Sequence, residues 1–181
     1  MHIFDISSGN APFVAKMMSR IKPDWWAFDG DALRQITSTD MLGWYMGETE
    51  DTPVGFICVK EVIDYGCVEL QSYGYDDNGE FVTGELMGIL YEKVEQYAVS
   101  KGFRSVRTHI TWTDASFDKQ TPTTYAEELL RIASECRELL ANETTKRRAF
   151  PYLLNRGYYP SALVPNCYGE DLHGLVMTKQ L

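Results

Sequence analysis

The chain has 181 residues, 44% hydrophobic and 24% charged, with a formal net charge of -9. That length and balance fit one soluble domain with a real hydrophobic core. The charge argues against nucleic acid, which demands clustered Lys and Arg, and no apolar run approaches the roughly 20 residues of a membrane span. Met1-His2-Ile3-Phe4-Asp5 lacks the basic flank and apolar stretch of a secretory leader, so the cytoplasm is the expected compartment.

Asn10-Ala11-Pro12 reads as a helix start, with Asn10 as cap and proline in the first turn. Phe13, Met17 and Ile21 follow at helical spacing, and Lys22-Pro23 stops the helix. Trp25-Trp26-Ala27-Phe28 is an aromatic connection, and Asp29 or Asp31 can cap a short second helix ending at Ile36. Three strands come next, at 42–48, 54–63 and 67–75. Their short links demand antiparallel neighbours.

Asp76-Asp77-Asn78-Gly79-Glu80 is a polar loop, and Thr83 can cap a helix over 84–100. Leu86, Leu90, Val94 and Tyr97 form its stripe, widened by Met87, Tyr91 and Ala98. Gly102 suits the left-handed residue that ends it, and 103–111 is a strand. Strand, helix, strand makes a parallel crossover here. Thr124-Tyr125-Ala126-Glu127 is a capping box, opening a helical insertion at about 112–142 that suits a lid, a dimer contact or both. Pro151 fits the first turn of a short helix that Gly157 ends, and Cys167-Tyr168 and 172–179 close the chain as strands. Cys58, Cys67, Cys136 and Cys167 form no CxxC pair, and His2, His109 and His173 are scattered, so neither a metal nor a thiol nucleophile is expected.

This order resembles the Gcn5-related N-acetyltransferase (GNAT) fold. Ala98-Val99-Ser100-Lys101-Gly102-Phe103, Ala149-Phe150-Pro151, Gly157-Tyr158 and the final 175–181 carry the likeness. The resemblance implies a single α/β (α+β) domain. Its sheet would be mixed and mostly antiparallel, twisted, of about six to seven strands flanked by helices. It also implies acetyl-CoA as acyl donor and direct transfer to a small-molecule amine or a protein amino group. In the family the third strand parts from its parallel neighbour, and the gap admits the thioester. Backbone groups around Ser72, Tyr73 and Gly74 then pair with the pantetheine arm. The pyrophosphate sits on the helix start, here Val82, Thr83, Gly84 and Gly88. Glu69 becomes the candidate base, with Glu61 as the weaker alternative, because the amine must lose a proton. By strand alternation Glu69 shares a face with Cys67, Gln71 and Tyr73.

Two departures stand out. The family's Gln/Arg-x-x-Gly-x-Gly/Ala motif falls on Val82-Thr83-Gly84-Glu85-Leu86-Met87, without the basic lead or the paired glycines, and its approach carries Asp76, Asp77, Glu80 and Glu85. The Tyr that many members use to protonate the leaving thiolate falls on Leu153; Tyr152 is the substitute, about 100° round the helix. Lys146-Arg147-Arg148 could meet the 3′-phosphate, and Trp25, Trp26, Phe28, Tyr45 and Tyr65 could line an acceptor pocket. The alternative is a ligand-binding or regulatory module that keeps the fold without acetyl transfer.

Overall fold

The computed structural model describes residues 1–21, 28–76, 83–112, 127–131, 149–169 and 172–181. The expected basic patch at 146–148, the Trp pair and Thr124 lie outside them, as does most of the insertion. Seven strands, taken in chain order, stand 1-2-3-4-5-7-6 in a mostly antiparallel sheet flanked by helices. The chain groups into two compact units, Met1–Arg104 and Ser105–Leu181. No helix among the described residues is long and apolar enough to cross a membrane.

In the first unit β1 (His2–Asp5) pairs with β2 (Met41–Gly47), which pairs with β3 (Pro53–Val62), which pairs with β4 (Cys67–Tyr75). β1 is an addition to the sequence expectation: four residues, mostly exposed, leave no legible alternation. A 3-10 turn, Ile63–Tyr65, joins β3 to β4, and Gly66 closes it at φ 60°, a left-handed value that glycine accepts without penalty.

Helix α1 (Ala11–Ile21) buries Ala11, Val14, Ala15, Met17 and Met18. Phe13 is 43% exposed, so the expected stripe is rotated away from it. Asn10 precedes α1, but its side chain does not cap it. Asn10 Oδ1 accepts from Ser7 N–H at 2.8 Å and Nδ2 donates to the Asp5 carbonyl at 3.1 Å, so the residue ties the chain leaving β1. Helix α2 (Asp29–Ile36) packs with α1. Both join a core containing Tyr45, Phe56 and Cys58.

Helix α3 (Thr83–Ser100) buries the expected stripe at Leu86, Met87, Leu90, Tyr91, Val94 and Ala98, with Tyr97 half-buried. It ends as a Schellman motif. Gly102 sits at φ 78°, and Phe103 N–H reaches the Ala98 carbonyl at 2.9 Å.

In the second unit β7 (Leu172–Gln180) lies between β5 (Ser105–Trp112) and β6 (Tyr159–Gly169), antiparallel to both. β6 starts well before the expected Cys167. Pro160 and Pro165 argue against a strand in sequence, yet β6 accommodates them with register shifts at Pro160/Ala162 and Val164/Gly169. Helix α4 (Ala149–Asn155) ends at Gly157, φ 85°, with Tyr158 N–H on the Leu153 carbonyl at 3.0 Å. A short helical turn covers 127–131, where Arg131 pairs with Glu128.

Candidate active site

β4 does not alternate throughout. Ser72 stands opposite Cys58, and Leu70 opposite Val59, so Gln71 has no partner on β3. This bulge shifts the side-chain phase by one residue. Upstream of it Cys67 and Glu69 share the face of Lys60 and Val62; downstream Ser72 and Gly74 take that face with Cys58 and Phe56. The expectation that Tyr73 shares the face of Glu69 is therefore corrected, whereas Gln71, at the bulge, still reaches Glu69. Tyr73 points to the other side, where its ring meets Tyr91 of α3 edge-on at 5.8 Å.

The two faces have different covers. On the Glu69 face, α1 approaches Gly74 so closely that a Cβ there would lie 2.6 Å from Ile21 Cδ1. On the opposite face α3 lies over Glu61, Val59, Ile57 and Tyr73. Tyr97 Oη donates to Glu61 Oε1 at 2.6 Å, and the Tyr97 ring tilts against Trp44 at 5.2 Å. Burial first, and the Glu61 carboxylate second, push the Tyr97 phenol up to about 12. Glu61 is thus engaged under α3, which weakens it as an alternative base.

Glu69 is half-buried and accepts a 2.8 Å hydrogen bond from Gln71 Nε2. Ser72 is 3% exposed, and its Oγ finds no hydrogen-bond partner among the described residues. Burial pushes the facing Cys58 thiol up to about 12, so this cysteine is a small hydrophobe. Asp76, at the end of β4, forms an ion pair with Arg20 in the last turn of α1. That pairing neutralises one of the acids on the approach to α3.

Thr83 and Gly84 open α3, Gly88 is half-buried within it, and Val82 lies outside the described residues. In the second unit Tyr152 is half-buried on α4, while Leu153, at the position of the expected acid, is 1% exposed. Among the described residues, the aromatics expected to line an acceptor pocket do not come together. Tyr45 is wholly buried, stacks on Phe4 at 5.2 Å and donates to the Glu50 carbonyl at 2.9 Å. Phe28 and Tyr65 are exposed on separate elements. Among the described residues no group of three His, Cys, Asp or Glu could hold a metal ion.

Sequence reasoning passed over Lys60 and Asp40. Lys60 lies opposite Glu69, and its ammonium forms an ion pair with Asp40. Counting back from the Val62–Cys67 ends of the hairpin would have placed Lys60 there.

No protein-family model and no curated protein matches the sequence. Solved structures do match. The aminoglycoside 6′-N-acetyltransferase from Enterococcus faecium aligns over 99% of this chain and 97% of its own at 17% identity, with a TM-score of 0.73. The chain has the GNAT fold. A second aminoglycoside 6′-N-acetyltransferase structure, complexed with coenzyme A, aligns over 99% of this chain and 97% of its own, with 17% identity and a TM-score of 0.71. The Escherichia coli ribosomal-protein-S18-alanine N-acetyltransferase aligns over 99% of this chain and 92% of its own, with 10% identity and a TM-score of 0.64. The GNAT fold accounts for the strand order and for the single long helix after β4.

Proposed function

We propose that this protein is an acetyl-CoA-dependent N-acetyltransferase that passes the acetyl group directly to an amine. The observation that carries the reading is β4. Its bulge at Gln71 sets a half-buried carboxylate, Glu69, on one face with the buried Ser72 hydroxyl. The full-length likeness to acetyltransferases acting on amines supports the same reaction class.

The residues present fit the donor through their backbone. The first turn of α3, from Thr83 and Gly84, has amides without intrahelical partners, which suit a pyrophosphate. The Arg20 ion pair takes Asp76 out of the repulsion. When bound, acetyl-CoA supplies an activated thioester carbonyl. Glu69 takes the proton of the acceptor ammonium, directly or through water, so that the nitrogen lone pair can attack. The new C–N bond forms as the C–S bond breaks, and the thiolate takes up a proton. Backbone N–H groups of the Ser72 to Gly74 segment are the candidate donors for the oxyanion.

The second reading, a ligand-binding module, draws on Leu153: a buried leucine stands where the family resemblance implies the acid. Calorimetric titration with acetyl-CoA, followed by Glu69→Gln kinetics, separates the two. Acetyl-CoA binding, with turnover lowered in Glu69→Gln at unchanged donor affinity, is expected. A protein indifferent to millimolar acetyl-CoA would refute acetyl transfer.

A further inference from the structure

Lys60 and Glu69 stand directly opposite each other on β3 and β4. Side chains so placed have Cβ atoms about 5 Å apart, and opposite charges there favour each other. Yet Lys60 does not close on Glu69. Its ammonium reaches the other way, to the Asp40 carboxylate, and the hydrogen bond to Glu69 comes from Gln71.

Asp40 is held ready for that role. It ends the turn before β2, where Met41 N–H bonds to the Ser38 carbonyl at 3.0 Å and Ser38 Oγ donates to Asp40 Oδ1 at 2.6 Å. Met41 itself lies opposite Lys60. Lys60, and then Ser38, hold the Asp40 carboxyl down at about 2, and Asp40 in turn raises the Lys60 ammonium above its usual range. Asp40, Lys60 and Glu69 thus run in a row from the turn before β2 across β3 to β4, with the cation committed to the far anion. Among the described residues, the other charges on the elements packed here are mostly engaged. Arg20 of α1 pairs with Asp76 and Arg34 of α2 with Asp31; Lys16 is exposed. α3 covers the opposite face.

We infer that Asp40 is a positioning residue for the proposed transfer: it holds Lys60 off Glu69 and keeps that carboxylate open to the acceptor ammonium. The inference rests on the assignment of Glu69 above. Without Asp40, the flexible Lys60 side chain swings to Glu69 and competes with the substrate cation from within the molecule. Water reaches all three groups, Asp40 most and Glu69 and Lys60 in part, so the penalty is modest. The amine KM should rise about two- to fivefold, as exposed pairs allow, and more at low ionic strength.

The Lys60 Cε NMR signal tests the pairing without turnover. In Asp40→Asn protein it should shift clearly on Glu69→Gln; in the parent, where Glu69 acts on Lys60 only at a distance, the shift should be smaller. No response in Asp40→Asn overturns the inference. Kinetics with kanamycin and with an alanine-terminated peptide test the consequence. Asp40→Asn should raise the amine KM with kcat unchanged, and adding Lys60→Met should restore it. A raised KM that Lys60→Met does not restore overturns positioning in favour of a structural role. Turnover lost in Glu69→Gln with KM unchanged in Asp40→Asn overturns this inference alone. Turnover untouched by Glu69→Gln overturns the base assignment and the inference with it. If neither amine is acetylated, it is the acetyltransferase reading that suffers, and the Lys60 signal still decides the pairing.

Discussion

Gly74→Ala tests whether α1 is seated on β4 by the absence of a side chain. A Cβ at this position would lie 2.6 Å from Ile21 Cδ1 and 3.2 Å from Phe56 Cε1. Phe56 is fully buried and has nowhere to go, so the Ile21 side chain must turn aside or the end of α1 must shift. Overpacking of this kind costs about 1–3 kcal/mol, a fall in Tm of roughly 2–12 °C for a chain of this length. Ile21→Val removes the clashing methyl and alone should cost about 0.5–1.5 kcal/mol or less, since Ile21 is half-buried. The double variant should then be less destabilised than the two singles added together, by about 1 kcal/mol. Urea denaturation of the four proteins measures this directly. Strict additivity, or a Gly74→Ala protein as stable as the parent, would refute the packing argument.

Two further outcomes follow from buried groups. The Tyr97 phenol is raised from 10.0 to about 12 in the folded protein, so it adds stability that is complete below pH 10. Above pH 10 the unfolded chain ionises first and that stability is lost as pH climbs to about 12; Tyr97→Phe should flatten this part of the alkaline denaturation curve, and an unchanged slope would count against the Tyr97–Glu61 bond. Thiol labelling of Cys136→Ser protein should give one fast equivalent, from exposed Cys167, while buried Cys58 and Cys67 react at the pace of unfolding. A second fast equivalent would contradict their burial.

Long periodic elements were legible in sequence. The stripe of α3 repeats over five turns, and its Gly102 stop needs only a local signal. The hairpin from β3 to β4 is fixed by its short turn. What failed to show depends on partners that sequence does not display. The bulge at Gln71 is a property of pairing, not of β4 alone, and it moved Tyr73 to the α3 face. β1 is too short to carry a period, and β6 contains two prolines that locally forbid what an edge position permits. Asn10 carries the right residue type for a cap, but the nearby Ser7 N–H and Asp5 carbonyl won its side chain. At the candidate site, Glu69 could be picked by residue type and strand. The control of Lys60 by Asp40 joins residues 20 apart and needed the register.

The prolines of β6 carry a consequence for colonies of molecules rather than for one. A terminal strand is a template onto which a stranger's strand can dock, and chains that present one cleanly tend to precipitate or grow fibrils. Pro160 and Pro165 each delete a donor from that template, and the two register breaks bend what remains out of line. At the other border, β1 offers only four residues. The protein should therefore tolerate crowding at high concentration, and smoothing β6 into a regular strand would be the quickest way to make it sticky.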